Sequence, residues 1–263
     1  MKIGFIGGGN MAEAIIGGML ASALCTKDDI LVCDKNPAAL KKYDGIKTST
    51  DNIAALSCDY VVLAVKPFIL PIVLQELKDS GVVLDKTVFV SIVAGASVAN
   101  IQSILGNEAK VVRVMPNTPA MVLEGMTVIA AKEEHVSDEA FSCVLSIFDA
   151  IGKTQVLPET MLNAVIGISG SSPAYVFMML EAMADAGVRD GLSRETAYLL
   201  AAQSVLGSAK MVLESGKHPG ELKDMVCSPK GTTIEAVAKL EKAGFRSAII
   251  SAIEACNRKA NQL

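Results

Sequence analysis

The sequence predicts an α/β domain with a doubly wound, mainly parallel sheet, followed by an all-helical domain. Up to Leu157, short β-rich runs alternate with stretches of helical spacing, which is the pattern of successive strand–helix units. The strand candidates are apolar almost throughout, as is typical of strands buried on both faces of a parallel sheet. After Leu157 the β-rich runs stop, and the chain becomes rich in Ala, Met and Leu with helical spacing.

The elements of the first domain are expected in the following order. The predicted strands are short and apolar and cover Lys2–Ile6, Ile30–Cys33, Tyr60–Val65, Val88–Ile92, Val111–Val114 and Thr127–Ala130. The predicted helices lie between and after these strands and cover Met11–Leu24, Pro37–Tyr43, Phe68–Asp79, Val98–Leu105 and Ser137–Ile151. We place the domain boundary next to Pro158, so that the sheet domain comprises residues 1–157 and the helical domain residues 158–263.

The helical domain is expected to take part in dimerisation. Helices are predicted over Ala174–Val188 and Arg194–Leu213, and the segment Ala197–Val212 is apolar around most of its circumference. A helix of this kind needs packing partners on all sides. Because a domain of this size can hardly supply them alone, we expect a second subunit to do so, which predicts a homodimer.

Composition argues against several classes of function. With a net charge of −4 and no basic run, the chain is not expected to bind nucleic acid. The six cysteines lie far apart without a CxxC pair and only two histidines are present, which argues against a metal site and favours reduced thiols. No apolar run approaches the ~20 residues that cross a bilayer, and no signal peptide precedes the first strand. A soluble cytoplasmic protein without a membrane segment is expected.

The first predicted strand runs into a glycine-rich turn that is typical of dinucleotide-binding sites. Gly7, Gly9 and Ala12 form a GxGxxA pattern before the first helix. Gly7 allows the tight turn, Gly9 lets the backbone approach a diphosphate, and the small Ala12 lets helix and strand pack closely. The diphosphate then lies at the helix N-terminus, where free N–H groups point at it. We expect a Rossmann-like domain whose first turn binds the cofactor through Gly7, Gly8, Gly9, Asn10 and Met11.

The end of the second predicted strand leaves the choice of cofactor open. Asp34 is of the type that takes the ribose hydroxyls of NAD, whereas Lys35 is of the type that accommodates the 2′-phosphate of NADP. Either Asp34 faces the ribose, or it points away while Lys35 meets the phosphate. Both are expected to bind the cofactor; Lys35 favours NADPH, with NADH also accepted because Asp34 is present.

Other turns at strand ends are expected to surround the nicotinamide. In a doubly wound sheet the ligand crevice lies outside the carboxyl ends of the strands. The polar or glycine-rich turns there supply the cofactor-binding candidates Ala64, Val65, Lys66, Pro67, Ala94, Gly95, Asn117, Thr118 and Pro119. The alternative is that these turns are ordinary loops in which proline fixes the local geometry.

Two motifs in the helical domain indicate a substrate site. The first, Gly167–Tyr175, is a small polar turn with Pro173 near the start of a long helix. The second, Glu221–Glu235, is interrupted by a helix break at Ser228 and Pro229.

The second motif continues with a helix start that is suited to an anion. Thr232 and Glu235 have the spacing of a capping box, in which the two side chains close the first turn of a helix. With Gly231 before them, several backbone N–H groups remain free, which makes a suitable cradle for a carboxylate.

Together with the glycine turn, Ala64–Pro67 and Met115–Pro119, these motifs resemble those of the pyrroline-5-carboxylate reductases, in order from the first strand to the last helix. The resemblance implies NAD(P)H-dependent reduction of 1-pyrroline-5-carboxylate to L-proline, the last step of proline biosynthesis, by hydride transfer to the C=N carbon. It also implies a Rossmann domain with an interleaved helical dimerisation domain, in dimers that often assemble further, up to decamers. The active site then combines the nicotinamide of one subunit with the Ser228–Thr233 loop of its partner.

The resemblance also assigns roles to individual residues. The substrate-binding residues that it implies are Ser172, Pro173, Ala174, Ser228, Gly231, Thr232 and Thr233. The backbone amides of Gly231, Thr232 and Thr233 bind the substrate carboxylate, and the Thr233 hydroxyl, the catalytic group, forms a hydrogen bond with the ring nitrogen. Asn117, Thr118 and Pro119 face the nicotinamide.

The chain departs from the family pattern at Lys230, where the family usually has glycine. If the position requires a positive φ, lysine is strained there by roughly 1 kcal/mol or more. Otherwise Lys230 keeps an ordinary conformation and adds a cation near the substrate carboxylate.

Two other functions remain as alternatives. A β-hydroxyacid dehydrogenase needs a base, for which Lys210 is the candidate in the middle of a long helix, but the surrounding motif does not match. A non-catalytic NADP-binding regulator has no reason to keep Ser228–Thr233. His135 is interpreted as a solvated loop residue and His218, which precedes Pro219, as a structural one.

Overall fold

The computed structural model describes residues 1–262, and contacts within the chain group them into two compact units. The first unit comprises Met1–Ser171 together with the chain from Cys256 onward, and it contains the whole sheet. The second unit, Ser172–Ala255, is built from helices. A mainly parallel α/β part followed by a helical part confirms the predicted fold class.

One eight-stranded sheet forms the centre of the first unit. Its strands are β1 (Ile3–Ile6), β2 (Ile30–Cys33), β3 (Lys47–Ser49), β4 (Tyr60–Leu63), β5 (Val88–Ser91), β6 (Lys110–Met115), β7 (Gly125–Ala130) and β8 (Gly152–Leu157). Their order is β3-β2-β1-β4-β5-β6-β7-β8, and all neighbours are parallel except β6 and β7. The chain order reverses between β1 and β4, and in open sheets of this kind ligands bind at the carboxyl ends of the strands at such a switch point.

Helices cover both faces of the sheet. Those of the first unit are α1 (Asn10–Ala21), α2 (Pro37–Leu40), α3 (Leu70–Asp79), α4 (Val98–Leu105), α5 (Asp138–Asp149) and α6 (Leu162–Val165). Successive side chains of a strand enter opposite cores, so that Phe5 packs with Ile15 of α1 on one face and Ile6 packs with Leu74 of α3 on the other. This burial on both faces explains why the strands are apolar almost throughout.

Two edge strands, β3 and β8, were not predicted from the sequence because neither contains an apolar run. β3 is a three-residue strand, Lys-Thr-Ser, without a buried residue, and β8 has only half-buried and exposed positions. The helix predicted to reach Ile151 ends at Asp149, and Gly152 begins β8. Gly152 has a φ of 149°, and a Cβ there would lie 2.0 Å from the Gly125 carbonyl oxygen, so that only glycine fits. The predicted helix Pro37–Tyr43 ends at Leu40.

The segment Glu159–Gly170 packs with the sheet unit, although it follows the boundary predicted from the sequence. Arg113 of β6, which is 4% exposed, explains this placement. Its guanidinium donates to Asn163 Oδ1 over 2.7 Å and lies 3.4 Å from Glu159 Oε1, which also accepts from the Val98 amide. A buried guanidinium is stable only with such partners, so it holds the segment on the sheet.

The second unit leaves most of its apolar side chains uncovered. Its helices are α7 (Ser172–Arg189), α8 (Arg194–Ser215), α9 (Pro219–Val226), α10 (Thr232–Lys242) and α11 (Phe245–Ala260), the last of which ends in the first unit. The large hydrophobic residues that are exposed on α7 and α8 are Phe177, Met178, Met183, Tyr198, Leu199, Leu200, Leu206, Met211, Val212 and Leu213. Exposed apolar surface on this scale marks an interaction site.

The helical run Glu159–Arg189 is long and apolar enough to cross a bilayer by length and composition, although the sequence analysis expected no such run. The run joins several short helical pieces to α7, and only 17% of its apolar window is buried within the chain. An apolar helix of this kind is equally typical of a surface that another subunit covers.

Candidate active site

The glycine turn after β1 is shaped for a bound diphosphate. Gly7 has a φ of 103°, and a Cβ there would lie 2.5 Å from the Ala64 carbonyl oxygen, so that only glycine fits. Gly9 is the N-cap of α1 and no side chain caps this helix. A Cβ on Gly9 would meet no atom within 4 Å, so open space lies beside the free N–H groups of the helix. An uncapped helix N-terminus beside open space is suited to an anion.

Asp34 is built into this turn. Its Oδ2 accepts from the Gly8 amide and its Oδ1 from the Asn36 amide, each over 2.8 Å. Lys35 is exposed and its Nζ lies 2.6 Å from Glu76 Oε1. Asp34 therefore has a fixed position, whereas the long side chain of Lys35 is free to exchange its surface carboxylate for another anion.

These residues line a cleft of about 810 Å³ at the carboxyl ends of β1, β2, β4 and β5, which we call the cofactor cleft. Of the predicted cofactor residues it brings together Gly7, Gly9, Asn10, Met11, Asp34, Lys35, Ala64, Val65, Lys66, Pro67, Ala94 and Thr118. The volume falls within the ~300–1,000 Å³ of ordinary ligand pockets. The cleft is thus large enough for an extended ligand that passes the glycine turn.

Gly8, Gly95, Asn117 and Pro119 are not among the residues that line the cofactor cleft. Gly8 contributes its amide to Asp34. Asn117 is 8% exposed, and both polar atoms of its side chain are engaged by backbone groups of Met126 and Ser169. The Asn117 side chain is therefore directed into the protein.

The cleft also contains residues that sequence analysis did not single out. Further lining residues are Asn36, Asn52, Ile69, Val73, Ile92, Val93, Pro116 and Met121. Asn52 is 3% exposed and donates to Glu76 Oε2 over 2.8 Å, which connects it to Lys35 through one carboxylate. Asn52 follows the edge strand β3. Because β3 was not predicted from the sequence, nothing indicated that Asn52 lies at the carboxyl end of a strand.

In the second unit, the loop Ser228–Thr233, which we call the substrate loop, opens α10. The predicted capping box does not form: the N-cap of α10 is Gly231, no side chain caps the helix, and Thr232 is already its first residue. Because Gly231 takes the N-cap position, the threonine side chains are left free and the first N–H groups of α10 have no side-chain acceptor. This arrangement suits a carboxylate better than a closed box does.

Lys230 has a φ of 58°, which is the left-handed conformation that glycine adopts without strain. The next residue completes the turn, because the Gly231 amide donates to the Ser228 carbonyl oxygen over 3.0 Å. A Cβ on Gly231 would lie 2.3 Å from Ser228 Oγ, so the loop has little room to relax. Of the two possibilities that the sequence leaves for Lys230, the structure shows the strained one.

Replacing Lys230 with glycine is expected to stabilise the protein by about 1 kcal/mol, because relief of the positive φ exceeds the entropy that glycine adds to the unfolded chain. The urea midpoint of unfolding measures the effect. Lys230→Gln is the control, since it removes the charge but keeps the Cβ, and its midpoint should match that of the wild type. An equal gain in both variants would show that charge, not backbone strain, is responsible.

The other motif of the helical region begins α7. Ser172 and Pro173 are half-buried and Ala174 is exposed, and the helix starts directly after a π-helical turn, Ile166–Gly170. In this turn backbone hydrogen bonds span five residues, as between the Ser171 amide and the Ile166 carbonyl. Such turns are rare and occur frequently at functional sites.

The groups that would support other chemistries have local structural partners. Lys210 is exposed on α8 and pairs with Glu214 one turn later. His218 is the N-cap of α9 and its Nδ1 accepts from the Gly220 amide, while His135 lies 3.2 Å from Glu108 at the surface. Among residues 1–262 no three His, Cys, Asp or Glu side chains are grouped to hold a metal ion.

Comparison with known proteins identifies the relatives of both parts of the chain. The family model "Pyrroline-5-carboxylate reductase dimerisation" matches residues 159–263, and "NADP oxidoreductase coenzyme F420-dependent" matches residues 2–95. The pyrroline-5-carboxylate reductase of Escherichia coli (strain K12) is 49% identical, covering 100% of this chain and 98% of that protein. The reductase of Arabidopsis thaliana is 40% identical, covering 100% and 95%.

A solved structure agrees with this assignment over the whole length. The Plasmodium falciparum pyrroline carboxylate reductase with NADP bound is 33% identical, with a TM-score of 0.91 that covers 100% of this chain and 97% of that one. Since full-length relatives reach 49% identity, the chain belongs to the pyrroline-5-carboxylate reductase family, the NAD(P)H-dependent oxidoreductases that reduce 1-pyrroline-5-carboxylate to L-proline in the last step of proline biosynthesis.

Proposed function

We propose that this reductase prefers NADPH, holds it in the cofactor cleft, and binds 1-pyrroline-5-carboxylate at the substrate loop of a partner subunit in a homodimer. The observation that carries the cofactor part is the uncapped start of α1 with open space beside Gly9. In this arrangement the diphosphate lies on Gly7 to Met11, and Asp34 lies on the ribose side. The nicotinamide, which supplies the hydride when it is bound, is surrounded by Ala64–Pro67, Ala94, Gly95 and Asn117–Pro119.

The substrate site is proposed on the free amides that begin α10. Gly231, Thr232 and Thr233 bind the carboxylate through backbone N–H groups, and Ser228 keeps the turn closed against Gly231. A cyclic imine is basic enough to be protonated in water, so the protein need only orient the ring and exclude competing orientations. The Thr233 hydroxyl holds the ring nitrogen, and Ser172, Pro173 and Ala174 form the opposite wall of the pocket. No histidine is needed.

The dimer is proposed because the apolar faces of α7 and α8 are uncovered in one chain, and because the matching family description of residues 159–263 is a dimerisation domain. A second copy would bury these faces in an interface of more than about 2,000 Å², which is typical of obligate dimers. The apolar run Glu159–Arg189 is then covered by protein and not by lipid. Further assembly up to decamers and a location in the cytoplasm belong to the same proposal.

The assay that tests this function follows the NADPH absorbance of the purified chain in three mixtures: NADPH with 1-pyrroline-5-carboxylate, where reduction of the imine consumes NADPH; NADP with a 3-hydroxy acid, where oxidation of the acid would form NADPH; and NADPH alone. Turnover is expected with pyrroline-5-carboxylate only, with formation of proline. Turnover of the hydroxy acid would favour a dehydrogenase that uses Lys210 as its base. Cofactor binding without any turnover would favour a regulator.

Lys35→Ala is expected to raise KM for NADPH far more than KM for NADH, by a lost charge-assisted contact of about 1.5–3 kcal/mol. In the free protein Lys35 is held by Glu76, and we expect it to exchange this partner for the 2′-phosphate. Glu76→Gln is the matched variant, since it removes the competing carboxylate but keeps Lys35, and it should leave KM for NADPH unchanged or lower. Equal effects of Lys35→Ala on both cofactors would remove Lys35 from the phosphate site.

A further inference from the structure

The π-helical turn Ile166–Gly170 is bonded by the side chains of Asn117 and Asn257. The proposed function gives neither side chain a role, since Asn117 is placed beside the nicotinamide only by its position in the Asn117–Pro119 turn and its side chain is directed into the protein. A π-helical turn accommodates one residue more than an α-helical turn, so that the neighbouring backbone groups lose their regular partners. These groups require other donors and acceptors when they are partly buried. Asn117 and Asn257, which are distant in sequence, supply them.

Asn117 connects the turn to the edge of the cofactor cleft. Its Nδ2 donates to the Ser169 carbonyl and its Oδ1 accepts from the Met126 amide, both over 2.9 Å. The residues on either side of it, Pro116 and Thr118, line the cofactor cleft. One buried side chain thus fixes the end of β6 and the π-helical turn at the same time.

Asn257, near the end of α11, holds the beginning of the turn. Its Oδ1 accepts from the Gly167 amide over 2.9 Å, and its Nδ2 donates to the Ala164 carbonyl over 3.3 Å. In a continuous α-helix these two groups would pair with backbone partners four residues away. The side chain amide of Asn257 therefore binds backbone groups on both sides of the point where α6 passes into the π-helical turn.

We infer that Asn117 and Asn257 are positioning residues for the reduction of the imine: by holding the π-helical turn open they fix Ser171 to Pro173, where α7 begins. Neither side chain touches the substrate. Without the hydrogen bonds of these two side chains, the π-helical turn is free to convert to a regular α-helical turn. That change would rotate Ser172 and Pro173 about the axis of α7. The inference rests on the proposed role of Ser172 and Pro173 in the substrate pocket.

The test compares Asn117→Ala and Asn257→Ala with Asn261→Ala. Asn261 is the matched control because its side chain also reaches from the C-terminus to the same segment, but it bonds Asn163 before the π-helical turn begins. KM for 1-pyrroline-5-carboxylate, kcat, and NADPH affinity by fluorescence titration are measured on each folded variant. NADPH with deuterium at the transferred position then shows whether hydride transfer itself has slowed.

The two alanine variants are expected to lose about tenfold or more in kcat/KM for the imine, since a displacement of about 1 Å can cost up to about 100-fold, with a larger isotope effect and nearly unchanged NADPH affinity. Asn261→Ala should match the wild type. If an alanine variant fails to fold, Asn117→Ser and Asn257→Ser replace it, since each keeps a small polar side chain without added charge but is too short to reach both backbone groups; they should show the same pattern.

Folded variants with wild-type kinetics and isotope effects would overturn the inference, as would equal losses in Asn261→Ala. A wild-type enzyme that does not reduce pyrroline-5-carboxylate would instead overturn the proposed function, so the two failures are distinguishable.

Discussion

Thr233→Ala is expected to lower kcat/KM for 1-pyrroline-5-carboxylate by roughly 10- to 1,000-fold, equivalent to about 1.5–4 kcal/mol of transition-state stabilisation. A threonine hydroxyl does not ionise near neutral pH, but it can accept a hydrogen bond from the protonated imine and donate one to the product amine. Its contribution is orientation of the ring against the bound cofactor. The loss should therefore be nearly independent of pH, and steady-state kinetics across the pH range measures it.

The neighbouring residues supply the controls for this prediction. Thr233→Ser keeps the hydroxyl and should recover much of the activity. Thr232→Ala removes the adjacent hydroxyl, which is exposed and for which only a backbone role is proposed, and should stay close to the wild type. NADPH affinity should barely change in any of them. Loss of a pH inflection in His135→Ala or His218→Ala would make that histidine the proton donor and contradict the mechanism.

Gly9→Ala is expected to weaken cofactor binding by on the order of 100-fold, about 2.7 kcal/mol, while the fold stays intact. The φ of −77° and ψ of −173° at Gly9 are accessible to alanine, and its Cβ would meet no protein atom within 4 Å. The added methyl group would occupy the space that we assign to the diphosphate. Titration of NADPH fluorescence measures the affinity, and circular dichroism measures the fold.

Gly17→Ala is the matched control, because it adds a methyl group to the same helix at a position that is also open. It should bind NADPH normally and gain about 0.5–1 kcal/mol in stability, as expected for alanine in a helix interior. Gly7→Ala is unsuitable, since its Cβ would collide with the Ala64 backbone at 2.5 Å and φ is positive. Normal NADPH affinity in folded Gly9→Ala would move the diphosphate elsewhere.

The sequence predicts those parts of the fold and the site that depend on local patterns. Ile3–Ile6 is apolar because both faces of the strand are buried. Gly7 must be glycine because a Cβ there would collide with the Ala64 carbonyl oxygen. Both requirements can be recognised from the residue types alone. The edge strand Lys47–Ser49 is held by pairing with β2 and not by burial, so no apolar pattern marks it. Asn52, which follows it, was missed for the same reason.

Side-chain direction could not be predicted, because it depends on contacts between distant residues. Asp34 accepts from the Gly8 amide, a bond across 26 residues, and Asn117 donates to Ser169, 52 residues away. The residue types at Thr232 and Glu235 are those of a capping box, but the box does not form. The turn closed by the hydrogen bond from the Gly231 amide to the Ser228 carbonyl makes Gly231 the N-cap. In each case a tertiary contact decides between local structures that the sequence allows equally.

Complementation between two impaired variants tests the shared active site most directly. Gly9→Ala damages the cofactor cleft and Thr233→Ala the substrate loop, so at an NADPH concentration too low to saturate Gly9→Ala each homodimer lacks a complete site. If each site combines the cleft of one subunit with the loop of its partner, a mixed dimer contains one intact site, and an equal mixture should recover about a quarter of wild-type activity. Sedimentation checks that dimers form and exchange. If the mixture stays as inactive as its components although mixed dimers are present, cleft and loop act within one chain, and the account is contradicted.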